Sequence, residues 1–180
     1  MKRLFLASDI HGSYSATKSI IEAYEREQCD KLILLGDLYY HGPRNPLPDE
    51  YCPKKVAELL NAYADKLIVI KGNCDAEVDQ MISEFPFVSR KVLHSFGRNI
   101  FLTHGHLYNS DNMPKLNVGD VLCYGHFHEG KLYIKEGVNI VALGSASLPK
   151  NNTPPSYAVM DKDGVVLKKL DGETINTIKF

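Results

Sequence analysis

Apolar runs of four or five residues recur along the chain, and each closes on glycine and polar residues. RLFLA (3–7), KLILL (31–35) and KLIVI (66–70) are too short for helices and are continuous enough for strands buried on both faces. Between them the period changes. Ala16, Ile20, Ala23 and Tyr24 share one side of a pattern running over 16–28, and Val56, Leu59, Leu60 and Tyr63 do the same over 56–63. This spacing predicts two core-facing helices. A further short helix is expected from Asp75 to Phe85, with Asp75 as its cap. The stretch HGPRNPLPDEYCPK (41–54) holds four prolines and is expected to be a loop.

NIFLTHGH (99–106), VLCYGHFH (121–128) and VNIVALGS (138–145) read as three more strands, and Lys162-Asp163-Gly164 sits between two β-rich runs as a hairpin turn. The pattern predicts an α/β fold in a single domain over 1–180 with an antiparallel C-terminal hairpin.

Composition narrows the function. The 21 basic and 22 acidic residues nearly cancel, so no charge excess signals nucleic-acid or membrane binding. Four cysteines, at 29, 52, 74 and 123, form no CxxC pair, which fits a reducing compartment. The apolar stretch in MKRLFLASD is too short for a secretion signal, and no apolar run approaches the length of a membrane span. A soluble cytoplasmic protein is expected.

Chemistry-capable side chains fall where the strands end. RLFLA delivers Asp9 and His11, KLILL delivers Asp37, and KLIVI delivers Asn73. NIFLT then delivers His104, and VLCY delivers His126 and His128. In an α/β sheet the crevice at these ends is where ligands bind. His126 and His128 stand two apart, so in an extended segment both imidazoles would face one way. Facing water as part of a polar loop is the plainer alternative for that pair. Gly12, Gly36, Gly72, Gly105 and Gly125 flank these positions and allow sharp turns.

The motifs SDIHG (8–12), LGDL (35–38), GNCD (72–75), THGH (103–106) and YGHFH (124–128), in that order, resemble the calcineurin-like metallophosphoesterase superfamily. The resemblance implies two packed mixed β-sheets, a β-sandwich flanked by helices. It assigns Asp9, His11 and His128 to one metal, Asn73, His104 and His126 to a second, and Asp37 to a bridge between them. Asn73, Cys74 and His104 become the candidate catalytic residues. Two divalent cations are expected, manganese first, with iron, zinc, cobalt or nickel also suited to imidazole and oxygen ligands. The implied reaction is hydrolysis of a small or nucleotide-like phosphodiester by a hydroxide held between the metals. Phosphomonoester hydrolysis and a non-catalytic scaffold are the alternatives. Relatives self-associate, so a homo-oligomer is expected.

One departure stands out. Most of the family resembles G-N-H-[DE] where this chain has GNCD, so a thiol at Cys74 replaces an imidazole credited with protonating the leaving oxygen. The other histidines are less committed. His106 is either a rival ligand or a support for His104, and His94 reads as an ordinary surface or hairpin residue. In the proline-rich loop, His41 is open to either role, and Arg44 could meet a phosphate or a partner subunit. Tyr39 and Tyr40 are expected to pack, and Ser145 to cap a turn near the metals.

Overall fold

The three early apolar runs form neighbouring parallel strands whose side chains alternate between two buried faces, which is why the runs lack polar interruptions. The computed structural model describes residues 2–180. β1 (Arg3–Ala7), β2 (Lys31–Leu34), β3 (Leu67–Ile70) and the two-residue β4 (Phe87–Val88) run parallel. β10 (Ser156–Asp161), β11 (Gly164–Lys169) and β12 (Thr174–Lys179) extend this sheet antiparallel on the other side of β1, giving the order β12-β11-β10-β1-β2-β3-β4. The second sheet is also mixed. Its order is β5-β6-β7-β9-β8, built from β5 (Lys91–Ser95), β6 (Arg98–Leu102), β7 (Val121–Tyr124), β8 (Lys131–Lys135) and β9 (Val138–Ala142).

Three apolar layers hold these elements. Leu4, Leu6, Ile33 and Ile70 of the first sheet meet Ile100, Leu102, Val121 and Val141 of the second. On the opposite face of the same strands, Phe5, Leu32, Leu34 and Val69 pack under Ile20 and Tyr24 of α1 (Tyr14–Glu27) and Val56 and Leu60 of α2 (Pro53–Asn61). The outer face of the second sheet, with Phe101, Leu122 and Ile140, is covered by Tyr108, Met113 and Leu116. Both long helices thus lie on one side of the sandwich, and the irregular segment 105–120 closes the other.

Local chemistry sets the helix ends. Ser13 caps α1 by accepting the Ala16 N–H at 3.1 Å, so the helix begins two residues ahead of its apolar pattern. Gln28 closes it in a left-handed conformation. The segment after Asp75 departs from the expected helix. It forms only a 3-10 helix, Glu77–Ile82, and Asp75 caps nothing there. The predicted hairpin forms as β10–β11 with Asp161 opposite Gly164. β12, with Thr, Asn and Lys, lies at a sheet edge with largely exposed side chains, and β8, at the edge of the other sheet, has only Leu132, Tyr133 and Ile134 between lysines, so neither has the apolar run of a central strand.

Where α1 ends, Glu27 joins three strands. Its carboxylate accepts from Lys168 at 2.6 Å, Tyr157 at 2.8 Å and Arg3 at 3.3 Å. Burial alone would push the Glu27 pKa up, but the Lys168 and Tyr157 hydrogen bonds outweigh it and hold the carboxyl below its ordinary range. A folded-state pKa below the unfolded one stabilises above the unfolded value and is lost as pH falls through the folded one. Glu27→Gln should therefore cost roughly 1.5–3 kcal/mol at pH 7, the worth of hydrogen bonds to a charged group. In urea titrations over a pH series, the gap between the two proteins should close as pH falls from the ordinary glutamate range through the lowered folded-state pKa. A gap independent of pH would assign the loss to packing alone.

Candidate metal centre

Three buried imidazoles are locked from behind by backbone carbonyls. Nδ1 of His11 donates to Tyr40 O at 2.8 Å, Nδ1 of His104 to Leu35 O at 2.6 Å, and Nδ1 of His128 to Leu148 O at 2.7 Å. A carbonyl only accepts, so each Nδ1 carries a proton, and each ring in its neutral form presents an Nε2 lone pair to the cleft. Nε2 of His11 and Nε2 of His128 face each other at 3.1 Å. Asp9 Oδ1 lies 3.7 Å from the first and 3.4 Å from the second, and that oxygen is buried without a hydrogen-bond partner. Acceptors converging this way need a proton or a cation between them. Donors held at ~2.1 Å from one ion would stand roughly 3 Å apart, so the residues present fit a divalent metal.

The second half repeats the arrangement. Nε2 of His104 faces Asn73 Oδ1 at 3.0 Å and Asp37 Oδ2 at 3.4 Å. The same Asp37 oxygen is 3.8 Å from His11 Nε2, so it looks into both halves. Three sets, Asp9-His11-His128, Asp9-Asp37-His104 and His11-Asp37-Cys74, place their donor atoms within 4.8 Å of one another. The thiol is the weakest donor of these. Burial and the neighbouring Asp37 carboxylate push Cys74 up to about 12, which keeps it protonated, and its sulfur already accepts from Asn73 Nδ2 at 3.3 Å.

The electrostatics agree that the cleft wants positive charge. Burial opposes protonation of His104, yet Asp37 and Asp9 overcome it and drive the imidazole up to about 9. Burial likewise opposes ionisation of Asp9, but His11 and His128 hold its carboxyl far below the usual range. His126 and His106 behave differently: burial, then the charge of His104, pulls both pKa values down.

Backbone geometry aims these groups. Asp9, His11, Asp37, His126 and His128 all adopt left-handed φ, between 51° and 67°. β7 ends at Tyr124, so His126 and His128 are not alternate residues of a strand as the spacing predicted. Left-handed turns send them apart: the His128 ring lies 4.9 Å from that of His11, and the His126 ring 5.1 Å from that of His104. His126 is half-buried and joins none of the three donor sets among the described residues, although its N–H donates to Asp9 Oδ2 at 2.9 Å. His106 is exposed, with its ring 5.4 Å from that of His104. His94 lies in the β5–β6 hairpin opposite Asn99, away from the cleft. Two glycines are required by close approach. A Cβ on Gly72 would stand 2.1 Å from Asp37 Oδ1, and one on Gly125 would stand 2.4 Å from Asp9 Oδ2.

The spacing of residues did not reveal Asp75. Its buried carboxylate accepts from Gly72 N–H at 2.7 Å and from Asp37 and Leu38 N–H at 2.8 Å each, tying the loop after β2 to the loop after β3. Burial, offset only in part by these amides, raises it to about 6. The fourth residue of GNCD was the available signal, but a carboxylate that accepts backbone N–H groups looks the same in sequence as a helix cap. Ser145 has the corresponding task after β9: its hydroxyl donates to Asp9 O at 2.6 Å and accepts from Leu148 N–H at 2.8 Å.

The arrangement has known counterparts. The chain is 44% identical to phosphodiesterase YfcE of Escherichia coli (strain K12) over 177 residues, 97% of this chain and 96% of that one. It is 30% identical to the probable metallophosphoesterase YsnB of Bacillus subtilis (strain 168), covering 87% of this chain and 82% of that one. The solved structure of Yfce from E. coli superposes with a TM-score of 0.96 at 41% identity over 98% of both chains. Vacuolar protein sorting 29 of Cryptosporidium parvum, at 19% identity and a TM-score of 0.65 over 99% of this chain and 97% of that one, shares the fold. The model of the calcineurin-like phosphoesterase superfamily domain matches residues 1–164, and with the motifs and the mixed two-sheet fold it shows that the chain belongs to that superfamily.

Proposed function

We propose that the protein hydrolyses small or nucleotide-like phosphodiesters with two divalent metal ions, manganese foremost and iron, zinc, cobalt or nickel as alternatives. The chain is a phosphoric diester hydrolase of the type named in its E. coli relative, and the proposal adds the metal count, the ligands and the substrate size. One observation carries it: the His11 and His128 Nε2 lone pairs face each other at 3.1 Å beside an unpartnered Asp9 oxygen. Asp9, His11 and His128 would hold one ion, Asn73, His104 and His126 the other, and Asp37 both. The ions would polarise the phosphoryl oxygens and make water a nucleophile near neutral pH. The protein's own part is orientation. Carbonyls of Tyr40, Leu35 and Leu148 fix the imidazoles, and Asp75 and Ser145 fix the loops that bear Asp37 and Asp9.

Among the described residues no helix is long and apolar enough to cross a membrane. A cytoplasmic homo-oligomer, one domain per chain, is part of the proposal; the exposed edge strand β12 supports self-association.

Chelator should abolish hydrolysis and added divalent metal should restore it. Asp37→Ala should cost far more activity than His94→Ala, and equal losses would overturn the dinuclear reading. Metal content per chain separates the paired histidines. His104→Ala should lose one ion, whereas His106→Ala should keep both with turnover reduced about 10–100-fold, as for supports of metal ligands. The opposite result would exchange their roles.

Cys74 predicts a substrate preference. A thiol, neutral near pH 7, gives no positive charge where an imidazolium would, so a contribution worth about 10²–10⁴-fold is missing for leaving groups that need a proton. The wild-type protein should favour diesters with acidic leaving groups, and Cys74→His should flatten that dependence. The measurement is kcat/KM across diesters of graded leaving-group pKa. Parallel slopes would show that position 74 supplies no acid.

A further inference from the structure

The metal residues form the floor of a cleft of about 830 Å³ whose walls carry two basic side chains, Arg44 and Lys150. Elsewhere on the protein some basic residues donate to backbone carbonyls, as Arg26, Lys31 and Arg98 do, and others face carboxylates, as Arg3 and Lys168 face Glu27 and Lys18 faces Glu50. Among the described residues Arg44 and Lys150 face none. The acids that line the cleft are already engaged. Asp37 is shared by His104 and the Cys74 N–H, and Asp75 is taken up by three backbone amides.

Both cations are free at the tip and tied at the base. The Lys150 N–H donates to His128 O at 3.0 Å, while Lys150 O accepts from Thr153 N–H at 3.0 Å and Thr153 Oγ1 at 2.8 Å. Arg44 lies in a turn pinned by Asn45, whose amide donates to His41 O at 2.8 Å. That loop rests on Cys74: a Cβ on Gly42 would stand 3.3 Å from the thiol sulfur. Tyr40 and Phe127, 42% and 46% exposed, add apolar rings to the same walls. Positive charge that no protein group balances, held on fixed backbone around an aromatic-lined cleft, suits an anionic ligand with a ring-bearing body.

We infer that Arg44 and Lys150 form an anion subsite beside the metal centre, and that the substrate class is a phosphodiester carrying a second anionic group, phosphate or carboxylate. The inference deepens the proposed hydrolysis and rests on it for the position of the scissile bond. A single diester carries one negative charge, which a cation-rich floor can balance without help from the walls. The wall cations therefore select among diesters.

Binding to the metal-loaded protein, measured by calorimetry, tests this apart from turnover. Thymidine 3′,5′-bisphosphate should bind about tenfold or more tightly than thymidine 5′-phosphate, the scale of a charge-assisted hydrogen bond. Pyrophosphate against phosphate makes the same comparison at shorter spacing. Arg44→Ala and Lys150→Ala should each bring the ratio toward one, and Arg44→Lys should restore part of it. Raising salt should shrink it as well, because both side chains sit in solvent. No preference in either pair, or variants that weaken both members equally, would overturn the subsite. The p-nitrophenyl 5′-esters of both nucleotides separate the two claims. Binding preference without hydrolysis of either ester sinks the phosphodiesterase reading and keeps the subsite; hydrolysis without preference does the reverse.

Discussion

A backbone carbonyl behind a histidine is the constraint on which this site depends. An imidazole has two nitrogens and one proton when neutral, so fixing the proton at Nδ1 fixes the lone pair at Nε2. The protein does this three times, with Tyr40, Leu35 and Leu148. These carbonyls belong to segments that the sheets themselves hold. Leu35 follows directly on β2, and Leu148 lies in the loop that Ser145 ties to Asp9. The rigidity of the sandwich is passed to the ring orientation through one hydrogen bond per ring. Asp9 and Asp37 then supply the charge that makes this set of lone pairs select a cation over a dipole.

Strand ends from the two face-packed sheets have to lie together for this to work, and their meeting is close. Asp9 from the first sheet receives the His126 N–H from the second, and Gly125 lies where any side chain would strike Asp9. His104, from the second sheet, donates to Leu35 of the first. The inter-sheet layer of Leu4, Leu6, Ile100 and Leu102 sets the separation that these polar contacts need. A cavity opened in that layer would act on the site through distance alone, since packed interiors pass on small displacements.

Much of this was legible in the chain because the parallel strands are uninterrupted apolar runs. Their ends are sharp, so Asp9, Asp37 and Asn73 could be placed at one edge from β1, β2 and β3 alone. Sheet membership was not legible. The runs at 99–102 and 121–124 look like those of the first sheet, and only long-range pairing assigns them to the second. Edge strand β12 escaped because solvent tolerates its polar residues, and β8 because its apolar stretch is only three residues long. His126 and His128 show the limit of periodicity: the pair does lie at the cleft, but left-handed turns rather than a pleat aim the two rings. Asp75 escaped for a different reason, since its three partners are amides that carry no side-chain signature.

Those left-handed turns have a thermodynamic meaning of their own. Five residues with Cβ atoms, Asp9, His11, Asp37, His126 and His128, occupy a region that glycine fills freely and other residues enter at about 1–2 kcal/mol each. The folded chain carries that strain wherever its polypeptide must turn back and point a donor inward. Hydrogen bonds from the backbone N–H groups of Asp9, His11, Asp37 and His126 offset part of it, and the packing of the sandwich holds the rest. Whatever binds at these five positions is thus coupled to folding itself: it stabilises the whole protein by mass action, and the melting temperature becomes a reading of its concentration.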